Sequence, residues 1–230
     1  MSELSNLTGA LFSDFLSAVT SPIASMGGAI VSSVLSAVME KRNATAREVL
    51  LDEIRHGNAS PAPEDIEESV AIWYRYWRAA QEGAARLNLR LLAAVYAGQV
   101  RDKAIVADDF LYLADLLATL RRDEIILLGT FLRHSTPPEG GYSDDYKSQS
   151  FTMNELVPDI FSTHADFWAT LGALQRTGLI ASYAVGGAIG SGSSTVYRIT
   201  NLLRKLNRLA EIEQIVIRND AATNAQPTKK

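Results

Sequence analysis

The chain has 230 residues, 47% hydrophobic and 21% charged, which is apolar material enough for one large domain or two small ones. That composition excludes a disordered or collagen-like chain, and the absence of cysteine excludes a thiol nucleophile, a cysteine metal site and a disulfide framework. A net charge of −4 argues against a protein that coats nucleic acid through bulk electrostatics.

Through Met39 the only charged side chains are Glu3 and Asp14. An uncharged run such as Phe15–Met39 has the length to span a bilayer. Pro22, Gly27, Gly28 and several serines interrupt it, and no Lys or Arg flanks its start, so membrane action by residues 1–39 ranks as a minor reading. No basic stretch of signal-peptide type opens the chain, and a cytoplasmic location is expected. Leu4, Leu7, Leu11, Phe15 and Ala18 share one helical face, which Pro22 ends or kinks. Ile30, Val34, Ala37 and Val38 form a second stripe with small residues between them. Phe15, Ile30, Val34, Ala37 and Val38 are therefore candidate association residues for a partner helix or a second copy. The second run continues as an amphipathic helix to Arg55, stops at Gly57-Asn58, and gives way to a linker at 59–63.

Glu64–Gly98 reads as one long helix, with acidic residues at its positive end. Ile66, Val70, Trp73, Trp77, Ala80, Ala84, Leu87 and Leu91 predict its core stripe. Tyr74, Tyr76, Arg75, Arg78, Arg86 and Arg90 fall outside that stripe, as a solvated flank. Asp108-Asp109 opens a further helix with Phe110, Leu113, Leu116, Leu117 and Leu120 inward. Asp123 is placed to cap a helix over Glu124–His134. Thr136–Ser150, with paired prolines and glycines, predicts a mobile loop.

In the last third, Thr152-Met153-Asn154-Glu155 has capping-box spacing and predicts a short helix to Phe161. Thr163-His164-Ala165-Asp166 predicts another, closed by Gly178. Ser182–Val185 and Thr195–Ile199 predict a hairpin around a Gly/Ser-rich turn, and Thr200 a final helix carrying Leu203, Leu206, Leu209 and Ile212. The pieces Leu174-Gln175-Arg176-Thr177-Gly178-Leu179-Ile180 and Val196-Tyr197-Arg198-Ile199-Thr200 resemble the end of the recognition helix and the return strand of MarR-like winged helix-turn-helix regulators. The resemblance covers roughly residues 122–210. No characterised family is recognised in the N-terminal half; together with the helical patterns there, the resemblance gives the expectation of a mainly α chain: a helical module over 1–107, a winged-helix domain with a small β-hairpin over 108–215, and a flexible tail over 216–230.

The resemblance also implies a helix presented to the major groove and a wing at phosphate or the minor groove. The expected outward face of that helix is Ala165, Ala169, Gly172 and Arg176. Only Arg176 and Gln175 have side chains of the kind that read base edges. Candidate contacts to nucleic acid or to an acidic partner are His164, Gln175, Arg176, Arg198, Arg204, Lys205 and Arg208. Ala165, Ala169 and Gly172 suit close helix packing and join the candidate association surface. HExxH, a P-loop lysine motif and a strand-borne GxGxxG are all absent, and the three histidines are widely separated, so no enzyme, cofactor or metal is expected. The leading expectation is a non-enzymatic interaction or regulatory protein that forms a homo-oligomer or binds a protein partner through its apolar N-terminal helices. The alternative is a dimeric winged-helix DNA-binding transcriptional regulator.

Overall fold

The computed structural model describes residues 29–57, 59, 66–102, 105–135, 141–185 and 194–225. Over these the chain is mainly helical, with nine α-helices and one two-stranded antiparallel sheet. It divides into two units, 1–42 and 43–230. The first unit is described only along the beginning of α1 (Ala29–His56), where Ala37 and Val38 are exposed. The second unit holds the rest of α1, then α2 (Ile66–Glu82), α3 (Arg86–Arg101), α4 (Ala107–Ala118), α5 (Arg122–His134), α6 (Tyr142–Leu156) and α7 (His164–Leu174). A 3-10 turn at Gln175–Thr177, β1 (Ile180–Val185), β2 (Ser194–Ile199), α8 (Asn201–Ala210) and α9 (Ile212–Ala225) complete it.

α3 is the centre of the second unit. Every residue from Leu87 to Val100 is buried, because α2, α4, α8 and α9 pack around it. A helix covered on all sides needs little amphipathicity and tolerates polar residues only where they find partners. Asn88 meets that condition by donating to the carbonyls of Leu117 and Leu120 at 2.7 and 2.8 Å. At Gly98 the crossing with α8 is so close that a Cβ would sit 2.3 Å from the Leu209 carbonyl oxygen.

Several expectations are corrected. The long helix over 64–98 is two helices, broken at Gly83, whose φ of 95° lies in the left-handed region open to glycine. The buried side of α2 is also rotated from the predicted stripe. Val70 is exposed, whereas Ile72, Tyr76 and Ala79 are buried, because α2 packs against both α3 and α4. Arg90, assigned by spacing to a solvated flank, is fully buried. The segment predicted as a loop to Ser150 is helical from Tyr142. Thr152 therefore lies inside α6 rather than at a cap, and its Oγ1 donates to the Ser148 carbonyl at 2.8 Å. α5 begins at Arg122, so Asp123 lies within its first turn, and Glu124 accepts from the Arg121 N–H at 2.8 Å. Residues beyond 216 continue α9, which lays Ile212, Ile215 and Asn219 against α3 and α5. The expected boundary at 107 falls inside the second unit, since α8 and α9 pack back onto α3.

The hairpin pairs Ile180 with Ile199 and Val185 with Ser194. One of its faces meets α7 and the turn after it: Tyr197 stacks on Trp168 with ring centroids 6.0 Å apart, and Ser182 Oγ donates to Gln175 Oε1. The other face meets α6 through Tyr183 and Arg198. The Thr163–Asp166 capping box forms as predicted, Gly178 closes the turn at φ 71°, and Thr200 caps α8.

Candidate functional site

The basic residues singled out in the sequence lie on α7, its following turn, β2 and α8, and most of them face carboxylates. Arg198 donates to Asp145 Oδ2 at 2.7 Å; Asp145, nearly buried on α6, also accepts from the Tyr183 hydroxyl. That carboxylate holds the Arg198 guanidinium above its ordinary pKa, and burial beside the same group raises Tyr183. Arg176 lies 3.4 Å from Glu124 Oε1, Lys205 2.5 Å from Asp109 and Arg208 3.8 Å from Asp102. Arg204 is half-buried on α8. Gln175 accepts from Ser182, and His164 is exposed in the first turn of α7. A guanidinium already facing a carboxylate offers phosphate a smaller net attraction, because the carboxylate repels what the guanidinium attracts.

On the same side of α7, Ala165 and Ala169 are exposed and Gly172 is half-buried. A Cβ at Gly172 would meet only the Tyr197 hydroxyl, at 3.8 Å. The only Asp, Glu, Lys or Arg on α7 is Asp166, which is committed to the cap. In α1, Ala37 and Val38 are exposed. The side chains of Ile30 and Val34, and the whole of Phe15, lie outside the described residues.

Sequence spacing missed a second constellation, at the heart of the second unit. Arg90 on α3 donates through Nη1 to Glu53 Oε1 at 2.5 Å and to Asp52 Oδ2 at 2.7 Å. Arg218 on α9 donates to Glu53 Oε2 at 2.7 Å, and its Nη1 lies 3.1 Å from His56 Nε2. Arg90 is 2% exposed and the Glu53 side chain 1%, so each charge needs the other. Burial opposes the charge on Arg90, but its two carboxylate partners outweigh that and hold its pKa above the ordinary value. Burial likewise raises Tyr76, whose hydroxyl donates to the Ala46 carbonyl at 2.8 Å. Every one of these groups is spent on tying α1, α2, α3 and α9 together. An adjacent carboxylate pair at 52–53 and a lone arginine at 218 carry no sequence pattern that would have joined them.

Among the described residues no group of three or more His, Asp or Glu side chains is placed to hold a metal ion. Among them, too, no helix is long and apolar enough to cross a membrane. Comparisons with family models, with curated proteins and with solved structures find no match.

Proposed function

We propose that this chain is a non-enzymatic interaction or regulatory protein built on a winged-helix scaffold over roughly 122–210, associating through its apolar N-terminal helices. The order α5, α6, α7, hairpin and α8 supports the scaffold reading. One observation carries the preference for a protein partner over DNA. Arg176, Arg198, Lys205 and Arg208 all face carboxylates of this chain, and the exposed surface of α7 carries Ala165 and Ala169. Base readout needs extended polar donors, which that surface lacks. Close packing by a second helix needs small residues, which it has. Ala37 and Val38, exposed on α1, continue the same logic at the other end of the chain.

The test is molecular mass in solution, measured with and without a generic duplex at about 50 mM salt. The expected result is a multiple of the 25.0 kDa chain that the duplex leaves unchanged and that Ala37→Glu returns to a monomer. A monomer that captures no partner overturns the proposal. So does a duplex complex that weakens steeply with salt and with Arg176→Ala, which would establish the DNA-binding alternative.

A further inference from the structure

From Leu203 to Asn219 the chain contains no glycine or proline, and Leu209-Ala210-Glu211-Ile212-Glu213-Gln214 is mostly strong helix formers. Local preference therefore favours one continuous helix. The chain nevertheless breaks at Glu211, between α8 and α9, with φ 51°. That left-handed conformation strains a residue with a side chain, and straightening the helix would relieve it. Among the helical hydrogen bonds that the break forgoes is the one from the Ile212 N–H to the Arg208 carbonyl, four positions back. Both of its groups have substitutes. The Ile212 N–H donates to Asn207 Oδ1 at 3.0 Å, and Arg101 Nη2 donates to the Arg208 carbonyl at 2.9 Å. The bend is thus propped by side chains against the preference of its own backbone.

α9 itself is held chiefly by elements other than α8. Ile212 and Ile215 are buried, and the helix packs on α3 and α5. Arg218 meets Glu53 on α1, while Asp220 and Glu213 meet Arg122 and Arg133 on α5, each at 2.7 Å. At Gly129 on α5 the two helices come so close that a Cβ would lie 3.3 Å from Glu213 Cα. None of these contacts requires that α9 belong to the same chain. We propose that α9 exchanges between two copies of this protein. Glu211 straightens, α8 and α9 become one helix, and each α9 seats on the α3 and α5 of the other copy. The exchanged dimer keeps the contacts of α9 and sheds the strain at Glu211, and a one-residue connection under strain is the kind of hinge that invites exchange. The partner is a second copy seated on α3 and α5, which goes beyond the association proposed at Ala37 and α7 and does not rest on it.

The test uses the full chain with Ala37→Glu throughout, so that association through α1 does not register. Refolded from urea at high concentration, it should give a dimer of twice 25.0 kDa by light scattering, and at high dilution a monomer. Glu211→Gly eases the bend and weakens the straight helix, so it should lower the association constant by at least about tenfold. Asn207→Ala removes the substitute acceptor of the Ile212 N–H and should raise the constant by about the same factor. A disulfide reads the exchange itself, since the chain has no cysteine of its own. A Cβ at position 129 would lie 3.5 Å from Glu213 Cβ, which suits an S–S bridge. A Gly129→Cys chain and a Glu213→Cys chain, refolded together and oxidised, should yield a disulfide-linked heterodimer. Its absence, when Gly129→Cys/Glu213→Cys on one chain does form the bond, overturns the proposal. Should that double variant form no bond, the hinge variants decide. A dimer indifferent to both Glu211→Gly and Asn207→Ala overturns the proposal, as does a monomer at every concentration.

Discussion

Arg90 and Glu53 form a pair that neither could leave alone. An ion taken out of water loses several kcal/mol of hydration, and only a close opposite charge with further hydrogen bonds restores it. Glu53 has both of its oxygens occupied, by Arg90 and Arg218. Removing Arg90 should therefore cost the lower part of the range for a broken buried pair, about 3 kcal/mol, since Arg218 still neutralises Glu53. Arg90→Ala should lower the urea midpoint accordingly, and a shift worth under about 1 kcal/mol would show that the pair is effectively solvated. Glu211 makes the opposite case. It joins α8 to α9 at φ 51°, a left-handed conformation that a side chain strains by roughly 1–2 kcal/mol. Glu211→Gly should raise stability by up to about 1 kcal/mol, after the added freedom of glycine in the unfolded chain is deducted. A lowered midpoint would mean that the Glu211 side chain makes a contact worth more than the strain. Neither residue was legible in the sequence. Arg90 sits at a spacing shared with Arg86, and the all-round apolar run Leu91–Gly98, which marks burial of the helix, says nothing of which partners would meet a guanidinium within it.

Among elements, the contact between α3 and α8 depends on one missing methyl group. A Cβ at position 98 would lie within 3 Å of three backbone atoms of Leu209, and backbone cannot rotate away as a side chain can. Gly98→Ala should therefore destabilise the chain by about 1–3 kcal/mol, although alanine is the better helix former. A gain in stability would show that α8 can shift without loss. Local chemistry reveals many element ends. Thr163 with Asp166, Gly178 and Thr200 each announce a boundary through a group that satisfies a free N–H or accepts a positive φ. The misses share a cause as well. Tyr142–Leu156 is polar enough to resemble a loop, and it is helical because Asp145, Gln149 and Thr152 find partners on β1, β2 and within α6 itself. The apolar periodicity runs straight through Gly83, yet that residue breaks the helix. The candidate basic residues are recognisable by type, but their carboxylate partners lie far along the chain, 96 positions away for Lys205 and Asp109.

For the molecule as a whole, acid should weaken the salt bridges that bind α9 and α6 to α5. Arg122 holds Asp220 below its ordinary value of 3.8, and Arg133 with His134 holds Glu155 below 4.5. Both carboxyls ionise more readily in the folded chain than in the unfolded one. Their contribution is therefore complete above those ordinary values and is lost as pH falls through the lower folded ones. Both pairs are partly exposed, so each contribution is modest. The urea midpoint should fall between pH 5 and about pH 3, and Asp220→Asn should reduce the size of that fall; an unchanged profile in the variant would remove Asp220 from the account.

The placement of α9 bears on how the chain is made. Glu53 reaches Arg218 across 165 positions and Arg122 reaches Asp220 across 98. At translation rates of about 5–20 residues per second, roughly 8–30 seconds separate the synthesis of Glu53 from that of Arg218. Once Arg90 is made, 37 positions after Glu53, the nascent chain holds the two without their third partner, and the α3 surface that α9 covers stays open. Ribosome-bound intermediates ending before residue 212 should therefore present a sticky, charge-centred groove to chaperones, and its closure should coincide with release of α9 from the exit tunnel.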